Sequence, residues 1–425
     1  MNLTYKKFTF WVLAQIFIKF FPAILLLGSL PIYLNKLDSN SFSFFALFLT
    51  AVQILSFTDF GINKFLIKKF GSNEYKNKLF MWPFFLSQML LGFIVSIFLL
   101  FLIFFLNIEI INDGEFFNLY NFFNIFLLIF LFTLLFSRSV ITSIFQINLF
   151  FNKLNLINGI KLCLLYLAPL VLLYFEKPNL MIYGMIVILI LEPFYLIYYL
   201  NNKKKIYAFS LPKIKLLPLV LLKSRNFIFI SLLSPAIAYM DRFFLINRLG
   251  SDIFNDYFVA QELYLKIVTV FGAVTYILYP VITQIEKNKF ISIHKIFVFH
   301  IMLAFFAVLL WMYFSDEVLI LWLKDSFNLN ISLLSKIFIF SLPFQIISLH
   351  CINNIMLSTK LYLLSFVYIF EFLIYFSLFY FSPNISEIYY ALFFILRLIG
   401  ECVILIFIVT KGKFKNYLSD IFVKG

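Results

Sequence analysis

The sequence has few charged residues for its length. Only 13% of its 425 residues are Asp, Glu, Lys or Arg, whereas 63% are hydrophobic and the mean hydropathy is +1.00. A soluble domain is roughly half apolar and about a quarter charged. A soluble core of this length cannot hide so much apolar surface, so the chain is predicted to have lipid as its solvent.

Residues and motifs that carry several kinds of chemistry are also scarce. The three cysteines, Cys163, Cys351 and Cys402, fall inside apolar runs, which argues against a disulfide framework. The sequence has no GxxxxGK[ST] motif, the signature of the P-loop ATPases, and no HExxH zinc-protease motif. We predict no resident cofactor, and we expect His300 and His350 to be buried, neutral and bonded to backbone groups.

Long apolar runs are what the sequence does contain. Runs of about 20 residues or more, long enough to cross a bilayer as a helix, occur twelve times. Their predicted limits are 8–34, 42–63, 81–106, 120–146, 155–175, 180–200, 226–247, 256–283, 296–315, 331–355, 361–381 and 387–409. The first run is too long for the core of a signal peptide, so we interpret it as a retained membrane helix. The predicted fold class is an all-α polytopic membrane protein.

Charge alternates in sign between the gaps that separate these runs. The first basic gap contains Lys64, Lys68, Lys69, Lys76 and Lys78, and the next gap contains Glu109, Asp113 and Glu115. Of the 34 Lys and Arg residues, 23 lie in alternate gaps and at the two ends of the chain. Basic loops stay on the cytoplasmic side of a membrane, so both termini are predicted to be cytoplasmic. Topology also explains the net charge of +14, so membrane lipids and not nucleic acid are the expected partners.

The longest cytoplasmic connection is a basic linker at 201–225, after the sixth span. It divides the chain into an N-terminal six-helix lobe at 1–200 and a C-terminal six-helix lobe at 226–409, with a basic cytoplasmic tail at 410–425. A linker at this position is expected of a transporter built from two repeats.

The loops predicted on the outer side are short. The longest surround Glu109–Leu119 and Asp316–Asn330, so no domain is expected outside the membrane.

Several ionisable residues lie inside the predicted spans, where a charge costs several kcal/mol unless it faces a protein interior or a watery cavity. An anionic group such as a phosphate suits several cations, and arginine presents a planar fork to its oxygens. The predicted substrate contacts are Arg138, Arg242, Lys266, Lys19 and Arg397. The predicted ion-coupling residues, which would use a proton or sodium gradient, are Asp241, Glu262, Glu371 and Glu192.

Structural roles remain open for the same residues. Glu262 with Lys266, and Arg397 with Glu401, have the i,i+4 spacing of a salt bridge on one helix face. For Lys19 and Arg138, the structural alternative to substrate contact is a bond to Glu192, Glu371 or a backbone carbonyl of a neighbouring helix. Lys161 lies about two turns inside its span, so we expect its ammonium to reach the membrane surface.

Two stretches carry a family resemblance. In residues 45–71, Asp59-Phe60-Gly61 resembles a turn at the inner end of the second helix of the polysaccharide-transport family, whose best-known members are the Wzx-type O-antigen flippases. Residues 231–283 contain the Asp-Arg pair, Tyr, Glu-Leu and aromatic-Pro that this family has around helices seven and eight. They are Asp241-Arg242, Tyr257, Glu262-Leu263 and Tyr279-Pro280. The family belongs to the multidrug/oligosaccharidyl-lipid/polysaccharide exporter superfamily.

The resemblance implies two six-helix lobes around a central cavity and no enzymatic activity. It also implies a flippase that moves undecaprenyl-diphosphate-linked oligosaccharide, an O-antigen or similar repeat unit, across the bacterial cytoplasmic (inner) membrane by alternating access. Glycan-assembly proteins are then possible partners. The alternatives are a drug or peptidoglycan-precursor exporter of the same superfamily and a membrane glycan polymerase or ligase. Such a polymerase or ligase typically needs a sizeable outer loop.

Overall fold

The computed structural model describes residues 5–57, 66, 85–86, 88–94, 96–97, 122–147, 150–204, 217–282, 293–357, 361–381 and 385–410. No residue in these ranges lies in a strand, and nearly all are helical. The predicted all-α class is therefore confirmed for this part of the chain.

The helices are numbered in chain order. They are α1 (Tyr5–Lys36), α2 (Ser39–Phe57), α3 (Phe122–Ile147), α4 (Phe151–Tyr174), α5 (Met181–Lys204), α6 (Leu217–Leu249), α7 (Ser251–Ile282), α8 (Ile293–Leu323), α9 (Leu329–Phe340), α10 (Leu342–Leu357), α11 (Leu361–Phe381) and α12 (Glu387–Thr410). The described residues between 85 and 97 are also helical. Short 3-10 turns at Pro178–Leu180 and Lys324–Ser326 precede α5 and α9.

Most of the predicted spans are present as helices. Within the described ranges, ten helical spans are long and apolar enough to cross a membrane, and α9 together with α10 forms one of them. α2 is apolar but shorter over its described length, and much of the predicted third span, 81–106, lies outside the described residues. The cytoplasmic position of the two termini stays a prediction.

The predicted outer loop at Asp316–Asn330 is shorter than predicted, because α8 continues to Leu323 and α9 begins at Leu329. Asp316 lies inside α8, and its Oδ2 atom is 2.9 Å from Nζ of Lys336 in α9. The hydroxyl of Ser332 donates a hydrogen bond to the same carboxylate. The Asp316 side chain is 49% exposed, so a helical position both leaves the acid accessible and gives it a cationic partner. The other predicted long loop, around Glu109–Leu119, lies outside the described residues.

The tenth predicted span is interrupted at one residue. α9 ends at Phe340 and α10 begins at Leu342, with Pro343 in the first turn of α10. Proline has no backbone N–H, so the regular helical ladder loses a donor there. The backbone N–H and the hydroxyl of Ser341 both donate to the Phe338 carbonyl, at 3.0 and 2.7 Å. These local bonds satisfy the backbone at the break without exposing it to lipid.

The chain forms two compact units. The N-terminal unit is Ile24–Tyr239, and the C-terminal unit is Met1–Ala23 with Met240–Gly425. Their boundary falls inside α1 and α6. The predicted linker at 201–225 is partly helical, since α5 runs to Lys204 and α6 begins at Leu217, while residues 205–216 lie outside the described part. The predicted division into lobes at this linker stays a prediction.

A single residue connects α6 to α7. Gly250 has a φ of 81°, a left-handed conformation that only glycine adopts readily. Its carbonyl accepts a hydrogen bond from the Phe254 N–H at 3.2 Å. So short a connection turns α7 back along α6, so that residues at similar distances before and after Gly250 meet.

An arginine joins the end of this helix pair to α11. Arg248, in the last turn of α6, donates from Nη1 to the Phe379 carbonyl and from Nη2 to the Tyr380 carbonyl, the latter at 3.3 Å. Carbonyls in the last turn of a helix receive no hydrogen bond from an N–H group of the same helix, so they need another donor. A cation at this end also complements the helix dipole. Arg248 therefore stabilises the end of α11 within the C-terminal unit.

We expect Gly250→Ala to lower the stability of the protein by about 1–2 kcal/mol, because the left-handed conformation is strained for alanine. Gly400→Ala in α12 is the matched control. An added Cβ meets nothing within 4 Å at either position, but Gly400 has no positive φ, so its replacement should be neutral or mildly stabilising. Melting temperatures of the purified variants in detergent measure the difference. Equal melting temperatures for both variants would contradict the assigned turn.

Candidate functional site

A network of buried charges lies between α6 and α7 in the C-terminal unit. Asp241 is completely buried, and its Oδ2 atom accepts hydrogen bonds from the hydroxyl of Tyr257 at 2.6 Å and from Nε2 of Gln261 at 2.8 Å. Asp241 lies nine residues before Gly250, and these two partners lie seven and eleven residues after it. The tight turn thus gives the register that joins them.

Arg242 belongs to the same network. Its Nη1 atom lies 3.0 Å from Oε1 of Glu262, its Nε donates to Gln261, and its guanidinium carbon lies 4.6 Å from the centre of the Phe258 ring. Lys266 reaches the other oxygen of Glu262 at 2.9 Å, so the predicted i,i+4 pair forms. Two cations therefore face two carboxylates, counting Asp241. The side chains of Arg242 and Glu262 are 0% exposed, so the centre of this network is closed to solvent.

A second network joins three helices of the N-terminal unit. Nε of Arg138 in α3 lies 2.7 Å from both carboxylate oxygens of Glu192 in α5, and its Nη2 donates to Oδ1 of Asn158 in α4 at 2.6 Å. Lys161 in α4 lies 3.3 Å from Oε2 of Glu192. Asn158 and Lys161 are three residues apart and so share one face of α4. This network, hereafter the Arg138 cluster, has two cations and one carboxylate.

The expected position of Lys161 at the membrane surface is therefore wrong. Its side chain is only 9% exposed, and its ammonium binds Glu192 inside the unit. A buried carboxylate attracts a lysine more strongly than a distant headgroup does, because charges interact strongly at low dielectric. Neither Lys161 nor Asn158 is among the site residues predicted from the sequence. Their i,i+3 spacing on α4 was the available signal.

A third network lies between α11 and α12. Arg397 and Glu401 form the predicted i,i+4 pair, with Nη1 3.7 Å from Oε2, and Tyr368 donates to Oε1 of Glu401 at 3.2 Å. The Arg397 guanidinium also lies over the ring of Phe394, 5.1 Å from its centre. Glu371 is buried on α11, and its carboxylate oxygens have no hydrogen-bond partner among the described residues.

Lys19 lies on α1, half-buried, in the C-terminal unit. Asp59, part of the family-like turn, lies outside the described residues.

The expectation for the histidines is partly wrong. His300 and His350 are buried as predicted, and His300 has the expected backbone partner, at Phe271. The partner of His350 is instead His300, with Nδ1 of His300 3.1 Å from Nε2 of His350. Among the residues that the structure describes, no three His, Cys, Asp or Glu side chains come together as metal ligands.

No protein-family model matches the sequence, and no curated protein matches it. Solved structures match over nearly the whole chain. A multidrug resistance MATE family transporter of the MOP superfamily, in an outward-facing conformation, has 13% identity and a TM-score of 0.64, with 96% of each chain covered. A MOP superfamily transporter from Pyrococcus furiosus, described as having a binding pocket of reverse polarity, has 13% identity and a TM-score of 0.60, with 96% of each chain covered.

The lipid II flippase MurJ, in an inward closed conformation, has 18% identity and a TM-score of 0.60, with 98% of this chain and 91% of that chain covered. Identities this low show the fold and no more. The chain has the fold of the MOP-superfamily transporters and is a multi-pass membrane protein.

Proposed function

We propose that the protein is a flippase of the bacterial cytoplasmic membrane that moves undecaprenyl-diphosphate-linked oligosaccharide, an O-antigen or similar repeat unit, by alternating access. The observation that carries the proposal is the Arg138 cluster, in which two cations share one carboxylate inside a membrane protein with a transporter fold. A diphosphate would compensate the surplus positive charge while its prenyl tail stays in lipid.

The predicted site residues take different weights in this proposal. Arg138 comes first as a substrate contact, because its side chain is 13% exposed and its cluster is positively charged. Lys266, Lys19 and Arg397 follow it. Arg242 comes last, because it lies fully buried among protein partners.

The proposed ion-coupling residues also differ in their surroundings. Glu371 comes first, because it is a buried carboxylate whose oxygens bond to no described residue. Asp241, Glu262 and Glu192 hold hydrogen bonds or ion pairs that a proton or sodium ion must compete with. Membrane lipids and glycan-assembly proteins are the proposed partners.

A second candidate is an exporter of a drug or of a peptidoglycan precursor. Glu371 and Glu401 both lie near Arg397, so this part of the C-terminal unit has more carboxylates than cations and would suit a cationic ligand. Structures with the same fold include a multidrug transporter and a lipid II flippase. A glycan polymerase or ligase has no comparable support, since the structural neighbours are transporters.

Arg138→Gln should block export in cells, because the glutamine keeps a hydrogen bond but removes the charge that binds the diphosphate. Undecaprenyl-linked repeat units should accumulate inside and surface glycan should fall by about tenfold or more, the effect of losing one charged hydrogen bond. Extraction of lipid-linked intermediates and quantitation of surface glycan measure both. Lys336→Gln is the control, because the ion pair with Asp316 is partly exposed and worth little.

Normal surface glycan in a folded Arg138→Gln, Lys161→Gln double variant would contradict the proposed site. Accumulation of lipid II in place of glycan intermediates would favour the peptidoglycan alternative.

Arg242→Met should act on stability instead. Removing one partner of a buried ion pair costs about 3–5 kcal/mol, and Glu262 would keep only Lys266. The melting temperature and the folded yield in detergent should fall sharply. Lys266→Met is the matched control, and it should cost less, because its side chain is 12% exposed and Arg242 still pairs with Glu262. Wild-type stability together with lost export in Arg242→Met would restore this arginine as a substrate contact.

A further inference from the structure

The Arg138 cluster has unused capacity to bind an anion. A guanidinium has five N–H donors, and Arg138 uses those of Nε and Nη2 on Glu192 and Asn158. Its Nη1 group makes no hydrogen bond to another residue of the described ranges. The Lys161 ammonium has three donors and one carboxylate oxygen within reach. Several directed N–H groups with a net positive charge therefore lie together in the N-terminal unit.

Glu192 occupies these donors as an oxyanion would. Its two oxygens both lie 2.7 Å from Nε of Arg138, and one lies 3.3 Å from Nζ of Lys161. The carboxylate is the most deeply buried of the three charged groups, with 2% of its side chain exposed against 13% and 9% for the two cations. The cations are thus the parts of the cluster that an incoming ligand meets first.

We propose that Glu192 is an internal counter-anion, which holds Arg138 and Lys161 until a phosphoryl oxyanion of the substrate replaces it. Only the identity of that anion, a lipid-linked diphosphate, rests on the proposed function. Asn158 keeps the guanidinium in place through Nη2 while the carboxylate and the ligand exchange. The site therefore includes Lys161 and Asn158 besides the arginine.

Exchange is favoured over simple addition because of charge. A diphosphate brings more than one negative charge, and at low dielectric it repels a carboxylate that stays beside the same arginine. Glu192 is followed by Pro193 inside α5, and a proline removes one backbone hydrogen bond from the turn before it. The helix is thus weakened where the carboxylate has to withdraw. Returning to the cations, Glu192 would expel the ligand and limit its affinity.

Glu192→Gln should therefore tighten anion binding. The purified protein in nanodiscs would be titrated with undecaprenyl diphosphate, with undecaprenol as the neutral lipid and with inorganic pyrophosphate as the anion without a lipid. Removing a competing charged hydrogen bond should lower the Kd of undecaprenyl diphosphate by about tenfold or more and leave undecaprenol unchanged. Glu192→Asp keeps the charge but withdraws it by one methylene. In this variant the Kd of undecaprenyl diphosphate should therefore fall less than in Glu192→Gln. A folding defect produces no gain in affinity.

Asp316→Asn is the matched control. It removes the carboxylate of the ion pair with Lys336, outside the Arg138 cluster, and changes the net charge by the same amount as Glu192→Gln. The Kd values of undecaprenyl diphosphate and of pyrophosphate should both stay unchanged.

Unchanged or weaker binding of both anions in Glu192→Gln and Glu192→Asp overturns the inference, and so does the lack of anion binding in every variant. Tighter pyrophosphate binding without any binding of undecaprenyl diphosphate keeps the anion site and overturns the lipid-linked function. Working glycan export with no effect of Glu192→Gln on the Kd overturns the inference alone.

Discussion

A charged side chain that leaves water for the interior of a membrane protein loses several kcal/mol of solvation, which only a partner inside the bundle can replace. Arg138, Lys161, Arg242, Lys266 and Arg397 all meet this constraint, since each lies within 4 Å of a carboxylate. Where the partners lie on different helices, as for Arg138, Lys161 and Arg242, the helices must pack so that the partners meet. The ion pairs therefore restrict the register of α3, α4 and α5 in one unit and of α6 and α7 in the other.

The sequence predicted what depends on local geometry. Helical runs follow from apolar length, and both intrahelical pairs, Glu262 with Lys266 and Arg397 with Glu401, follow from a spacing of four residues. Ten of the twelve predicted spans are present in the described ranges as membrane-length helices. These features need no knowledge of how helices are arranged.

What the sequence could not predict depends on helix packing. The bond between Arg138 and Glu192 joins residues 54 positions apart, and nothing in their spacing distinguishes it from a pair with Glu371. Lys161 looked close enough to a span end to reach water, but the carboxylate of a neighbouring helix holds it inside. The adjacent acids Asp316 and Glu317 suggested that the apolar span ends there and a loop begins. A partner on α9 allows the acid at 316 to stay in a helix.

Charge balance separates the three buried networks. The network around Arg242 has equal numbers of cations and carboxylates and no solvent exposure at its centre, so any change of ligand or proton would create an unpaired charge. Such a network favours one conformation and suits a structural role. The Arg138 cluster has a surplus cation, and Arg397 has two carboxylates, Glu371 and Glu401, near it. An unbalanced network leaves a charge that an ion or ligand of the opposite sign is able to balance. Under the proposed transport function, the two unbalanced networks are where the binding of a ligand or ion is able to change the conformation.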